Sequence, residues 1–338
     1  MLIKVQSIAS STTSISNSIL EGRLENGRTY HKYKEGSKRH VAAIIDYDRF
    51  LTIVEYSYPN DERESDRLGR SRTPDMQHTL FLLTTDDRLG LAPPNSKGSS
   101  VKRAIDIGTG TGIWTTDFGD EHPEADVLGV DLSPVPTAFV PPNVRFEVDD
   151  VEEPWTYSQP FDYIHVRGMT SSITDWKRFF IQCYGNLEPG GWLEVQEGHM
   201  RAHSDDGTLK PDSSIVKWVD LLEEAAEKFG RPFADCPSLA KLMEEVGFVD
   251  VSLKMYKWPL NPWPKDPHYR ELGAWNFSNF IKGIEAITMA PFTRGHGWTK
   301  EEVQIFLIGL RKELSDMKIH AWIPMYMMYG RKPTEVSQ

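Results

Sequence analysis

The chain has little cysteine: two among 338 residues, Cys183 and Cys236, which form no CxxC pair. That excludes a disulfide framework and a cysteine-built zinc site, and it suits a reducing compartment. No apolar run approaches the ~18 residues of a membrane span. The opening MLIKVQ is broken by Lys4 and Gln6 where a signal peptide would be apolar. An excess of positive charge is also missing. The formal net charge is −11, which argues against nucleic acid as the main partner. Internal repeats are absent. Apolar residues make up 39%, ample for a buried core at this length. The expectation is a soluble, cytoplasmic protein with no membrane partner.

Residues 1–40 read as a flexible N-terminal segment, serine-rich over 7–19 and locally basic at Lys32, Lys34, Lys38 and Arg39. The basic cluster reads as a solvated surface, with nuclear import as its alternative. Residues 41–58 turn apolar and end at the turn signal Pro59-Asn60-Asp61. Asp75 is placed to cap a helix from 76 to about 84, where Met76, Leu80 and Leu83 share one face. Residues 41–98 thus form an N-terminal helical or lid region, closed by the linker Pro93-Pro94-Asn95-Ser96-Lys97-Gly98.

From 99 onward strand and helix patterns alternate, as in a parallel α/β sheet. Strands are expected at 103–107, 126–131, 144–148, 161–166, 191–196, 249–258 and 323–329. Helices are expected at 112–120, 174–187, 212–229 and 238–246, with Glu188-Pro189-Gly190-Gly191 read as a turn. The core then spans 99–258, and 321–338 supplies its last strand and a tail. Between them, 259–320 forms a helical insertion, with helices near 268–286 and at 300–314. The second opens on Thr299-Lys300-Glu301-Glu302, a capping box. The insertion is expected to fold back as a lid over the acceptor.

The most specific stretch is Ala104-Ile105-Asp106-Ile107-Gly108-Thr109-Gly110-Thr111-Gly112, a strand running into a glycine turn and a helix. Such a junction offers free backbone N–H groups and a positive helix end to a nucleotide-like ligand. A dinucleotide fingerprint needs a third glycine where Ile113 stands. Asp106 would also repel a pyrophosphate, whereas it suits a ligand bearing an ammonium group. Three further positions should converge with this turn beyond the strands' carboxyl ends. Asp131 closes the second strand, where an acidic residue can accept both ribose hydroxyls. Asp149-Asp150-Val151 follows the third, with Asp150 placed to accept from an adenine amino group. His165-Val166-Arg167-Gly168 ends the fourth. Acidic residues after strands often merely cap helices. Four in register across successive junctions are far less common by chance.

These residues resemble the class I S-adenosylmethionine-dependent methyltransferases, and more closely the fungal LaeA-like (TAM-domain) group. The resemblance rests on Tyr58-Pro59-Asn60-Asp61-Glu62, Asp66-Arg67-Leu68, Gln77-His78, Gly90-Leu91-Ala92-Pro93, 108–114 and Gly129-Val130-Asp131-Leu132-Ser133-Pro134. Asp149-Asp150-Val151-Glu152, Gly190-Gly191-Trp192-Leu193-Glu194 and Tyr329-Gly330-Arg331-Lys332-Pro333 extend it to residue 333. It implies a Rossmann-like, seven-stranded, mostly parallel sheet with helices on both faces. It also implies one S-adenosylmethionine per chain. By that resemblance Asp106, Gly108, Thr109 and Gly110 meet the methionine part, Asp131 and Leu132 the ribose and adenine, and Asp150 and Val151 the adenine edge. Arg167 falls where the class makes backbone contacts near the methionine end. Two roles follow: tailoring of a secondary metabolite, or regulation of secondary metabolism through protein partners.

Absent motifs narrow the acceptor. No Asn/Asp-Pro-Pro-Tyr/Phe follows the fourth strand, no Pro-Cys pair occurs, and no double-glutamate hairpin is visible. A small-molecule acceptor, methylated on oxygen or nitrogen, is therefore expected, with a homodimer or protein partner left open. Candidate general bases are His165, the best placed, then His199, His203 and Glu197. His199 and His203 have helical metal-ligand spacing but sit in loop-like sequence without a third ligand, so no metal is expected. Trp263, Tyr269, Trp275, Phe277 and Phe280 suit an acceptor pocket or a core equally well.

Overall fold

In a computed structural model of the chain, residues 22–26, 28–31, 75–135 and 140–334 are described. Strands β1 (Gly22–Glu25) and β2 (Arg28–His31) form a separate antiparallel hairpin. The main sheet comprises β3 (Arg103–Ile107), β4 (Asp126–Asp131), β5 (Val144–Val148), β6 (Phe161–Arg167), β7 (Leu187–Gly198), β8 (Val249–Pro259) and β9 (Trp322–Arg331). Their order is β5-β4-β3-β6-β7-β9-β8. Neighbours from β5 through β7 run parallel, and β9 lies antiparallel between β7 and β8. The central strands β3, β4 and β6 bury Ala104, Ile105, Ile107, Val127, Leu128, Val130, Ile164 and Val166, as double-sided burial requires, whereas edge strand β5 is partly exposed. Chain order reverses between β3 and β6, so a ligand crevice is expected beyond their carboxyl ends.

Among the described residues seven α-helices accompany the strands: α1 (Met76–Thr84), α2 (Ile113–Glu121), α3 (Trp176–Gly185), α4 (Ser214–Lys228), α5 (Cys236–Val246), α6 (Pro267–Ala290) and α7 (Lys300–Leu314). Their caps follow the sequence signals. Asp75 accepts from the His78 N–H at 2.9 Å, and Thr299 with Glu302 completes the expected capping box. Helices α3 and α5 cover one face through Phe179, Phe180, Leu239 and Met243. Trp114 and Phe118 of α2 pack against Ala104, Val127 and Tyr163. Helices α1, α4, α6 and α7 share a third apolar cluster, joined by Ile323, Met325 and Met327 of β9.

Two expectations need correction. Glu188-Pro189-Gly190-Gly191 is not a turn before the strand but part of β7, which pairs with β6 through an irregularity between Phe161 and Tyr163. There Gly190 donates to the Lys332 carbonyl at 2.9 Å and Lys332 to that of Gly191 at 2.8 Å, so the glycines continue the ladder. Helix α6 also outruns the expected end, reaching Ala290 and a π-helical turn at Pro291–Gly295. No helix among the described residues is long and apolar enough to cross a membrane. The basic cluster after residue 31, the apolar run 41–58 and the motifs at 58–68 lie outside the described residues.

Candidate cofactor site

The glycine turn leaves β3 at Ile107 and enters α2 at Ile113. Gly108, Gly110 and Gly112 all have positive φ, at 69°, 58° and 77°. A side chain at Gly108 or Gly112 would be strained twice over. A Cβ on Gly108 would stand 2.3 Å from the Met169 sulfur, and one on Gly112 would meet the Phe146 ring at 2.7 Å. Gly110 differs: it is exposed, and a Cβ there would meet nothing nearer than 4.0 Å. The turn is tied to β4, since Gly108 and Thr109 donate to the Val130 carbonyl at 2.9 and 3.0 Å.

Asp131, half-buried at the end of β4, faces this turn. Its Oδ2 accepts from the Gly110 N–H at 2.9 Å and its Oδ1 from that of Ser133 at 2.9 Å. Burial raises its carboxyl above the ordinary range, against the pull of those two bonds. Leu132 follows, half-buried. At the next junction Asp150 is buried, and its Oδ1 accepts from Glu152 at 3.0 Å. The Val151 carbonyl accepts from the Trp155 indole at 2.9 Å, which makes 149–155 a closed turn. The structure therefore brings Gly108, Thr109, Gly110, Asp131, Leu132, Asp150, Val151 and Arg167 to one sheet edge, at the carboxyl ends of β3 to β6.

Asp106 and His165 have a different setting from the one their sequence positions suggest. They are register partners on β3 and β6, 2% and 0% exposed. Asp106 Oδ1 lies 2.8 Å from His165 Nδ1, and its Oδ2 accepts from the Thr115 hydroxyl at 2.7 Å. Trp114 stacks flat on the His165 ring, centroids 3.7 Å apart. Burial raises the Asp106 carboxyl, but the bond and charge of His165, with Thr115 and Thr109, more than offset this and hold it low. Both carboxylate oxygens are thus engaged inside the protein, beneath the turn. His165, the expected general base, is sealed under Trp114, and its Nε2 has no hydrogen-bond partner among the described residues.

Of the other expected bases, His199 donates its backbone N–H to the Pro324 carbonyl at 3.0 Å, and its Nδ1 accepts from the Arg201 N–H at 3.3 Å. His203 forms a two-way backbone bridge with Trp322, and its ring stacks on the Trp322 indole at 4.9 Å. Among the described residues no group of His, Cys, Asp or Glu is arranged to hold a metal. Glu197 is fully buried at the end of β7, accepting from the backbone N–H groups of Met169 and Thr170 at 2.6 and 3.1 Å. Burial pushes its carboxyl up to about 8 despite those bonds. The insertion aromatics are mainly core. Phe280 is buried edge-on to Trp218 at 5.9 Å, Trp275 and Phe277 pack beside it, and Trp263 stacks on His320 at 4.7 Å. Tyr269 alone is exposed.

One polar network escaped the sequence reading. Glu194 of β7 has no exposed surface, yet it accepts from five donors. These are the N–H groups of Leu91 and Ala92, both at 2.8 Å, the Tyr163 hydroxyl at 2.9 Å, Gln196 at 3.0 Å and Asn95 at 3.2 Å. The segment after α1 is thereby fastened to the sheet. Two motifs remote in sequence, Gly90-Leu91-Ala92-Pro93 and Gly191-Trp192-Leu193-Glu194, are the halves of this contact. Gly90 is required there, because a Cβ would stand 2.6 Å from Glu194.

A seven-stranded sheet of this order, with one antiparallel strand next to its edge and a glycine turn at the switch point, defines the class I methyltransferase architecture. A family model described as a methyltransferase domain matches residues 76–253, and the chain belongs to that family, whose methyl donor is S-adenosylmethionine. Methyltransferase pytC of Aspergillus terreus is 42% identical over 325 residues, covering 96% of this chain and 92% of that protein. The secondary metabolism regulator LAE1 of Cochliobolus heterostrophus is 35% identical, covering 92% and 95%. The protein-methionine methyltransferase laeA of Emericella nidulans is 31% identical, covering 91% and 76%.

Proposed function

We propose that this chain transfers the methyl group of S-adenosylmethionine to a small-molecule acceptor in fungal secondary metabolism. The observation that carries this reading is the likeness to pytC, which extends over 96% of the chain and so includes the insertion as well as the cofactor turn. The negative charge and the missing nucleic-acid motifs agree with it. When bound, the donor supplies a methyl on a cationic sulfur, ready for in-line displacement by the acceptor.

The residues present fit that donor. Gly110 leaves open space beside the turn, where an adenosyl group can approach the backbone. Asp131 would exchange its bonds to Gly110 and Ser133 for the two ribose hydroxyls. Asp150 and Val151, with Leu132, would border the adenine. Gly108 and Thr109 would floor the methionine end, with Asp106 setting their position from below. The protein's chief contribution is then to align acceptor and methyl, which is worth roughly 7–11 kcal/mol. Residues 259–320 would complete the acceptor side as a lid, because α6 packs on α1 and α1 borders the turn.

The likeness to LAE1 and laeA supports a second reading, a regulator of secondary metabolism acting on or through proteins. Incubation with methyl-labelled donor and a fungal extract separates the two. Label entering extractable small molecules is the expected result. Label confined to protein would favour the regulator, and no transfer to either fraction would contradict both.

A further inference from the structure

Arg167 stands at the carboxyl end of β6, one residue beyond the Ile107–Val166 pair and so level with the start of the glycine turn. Among the described residues, the loops that follow β3, β4, β5 and β6 hold no lysine or arginine, so the cation at this edge is Arg167, the last residue of β6. Its guanidinium lies over the Phe81 ring at 4.9 Å, and its Nη1 is 3.3 Å from His78 Nδ1. Arginine can only donate, so His78 Nδ1 is the acceptor. The other imidazole nitrogen, Nε2, lies 3.0 Å from Asp117 Oδ2. Asp75, Asp106 and Asp117 act on Arg167 through space, but among the described residues none forms an ion pair with it. A half-buried cation is thus held on two sides by one helix, with the rest of its donor fork uncommitted.

Helix α1 is fixed over this point by three contacts. Asp75 divides its carboxylate between the His78 N–H at 2.9 Å and the Thr111 hydroxyl of the glycine turn at 3.0 Å. His78 reaches Arg167 of β6 through Nδ1, its Nε2 lies near Asp117 of α2 without a hydrogen bond, and Phe81, one turn further along the helix, supports the guanidinium plane. Both side chains share one face of α1. The methionine end of the donor carries a carboxylate, for which a planar guanidinium is the matching partner.

Building on the cofactor site proposed above, we infer that Arg167 binds the carboxylate of the donor's amino-acid end, and that His78 of α1 is its positioning residue. Only a ligand with an amino-acid end would engage the cation that helix α1 holds. His78 touches neither donor nor acceptor; it acts through Arg167.

The test compares two ligands on the full chain by calorimetry. S-adenosylhomocysteine has the amino-acid end, and 5′-deoxy-5′-methylthioadenosine keeps adenine, ribose and sulfur but lacks it. Arg167→Met is expected to weaken S-adenosylhomocysteine about ten- to a hundredfold, the scale of a lost charged hydrogen bond. Methylthioadenosine affinity should stay within about twofold, since that ligand makes no such bond. His78→Leu should weaken S-adenosylhomocysteine selectively, and His78→Asn, whose side-chain oxygen can stand where Nδ1 stands, should restore most of the loss. That pair carries the test if Arg167→Met does not fold. Equal loss for both ligands, or no loss for either, overturns the inference while leaving the cofactor site in place. If the unmodified chain binds neither ligand, the cofactor-site reading fails and takes this inference with it.

Discussion

At Asp131 a single carboxylate closes the glycine turn by accepting from Gly110 and Ser133, and the same two oxygens are what a ribose diol would need. Asp131→Ala should therefore weaken S-adenosylhomocysteine by about tenfold or more in a calorimetric titration. The thermal midpoint should shift little, because the side chain is only half-buried. Unchanged affinity would remove Asp131 from the site. Glu197 makes the opposite kind of prediction, about stability instead of binding. Its carboxyl, raised by burial to about 8, favours the protonated form in the folded chain. Its contribution is complete below the ordinary carboxyl range near 4.5 and is lost as pH rises through about 8. Denaturant unfolding across that window should show stability falling with pH in the unmodified protein and a flatter profile in Glu197→Gln. Equal slopes in both would contradict this. Sequence could flag Asp131 and Glu197 by their places at strand ends. It could not tell that Asp106 and His165 would face each other across β3 and β6, because that requires the register.

Among the elements, the central strands and most helices were legible from periodicity and caps. The residues at 103–107, 126–131 and 144–148 match β3, β4 and β5, and 300–314 matches α7. Elsewhere local signals lost to long-range ones. Glu188-Pro189-Gly190-Gly191 carries every mark of a turn, yet pairing with Lys332 from the far end of the chain holds it in β7. The Glu194 staple was hidden for a related reason. Its partners Leu91 and Ala92 are backbone groups a hundred residues away, and no side-chain pattern announces a backbone donor. Glu194→Ala would strand several buried donors at once, and it should cost at least about 3 kcal/mol in denaturant unfolding. Tyr163→Phe, which removes one donor to Glu194 and the hydroxyl that accepts from Asn95, should cost about 1 kcal/mol. If Glu194→Ala were as mild as Tyr163→Phe, the segment after α1 would not depend on this carboxylate.

For the whole molecule, the account joins a sheet whose switch point creates a crevice to a helical layer that borders it. Helices α1, α4, α6 and α7 form one apolar cluster with β9, so the insertion and the N-terminal helix pack in one core. The N-terminal hairpin adds a contact through Glu25, whose Oε2 accepts from Arg294 Nη2 at 2.6 Å at the π-helical turn. The sequence marks helices at 76–84, 212–229, near 268–286 and at 300–314, but not that they share one apolar cluster with β9, which depends on packing across the chain. The central claim is that the glycine turn between β3 and α2 holds S-adenosylmethionine. Calorimetric titration of the full chain with S-adenosylhomocysteine tests it most directly. One molecule bound per chain, with affinity reduced in Asp131→Ala, is the predicted result. No binding by the folded, unmodified chain, or binding indifferent to Asp131, would contradict it.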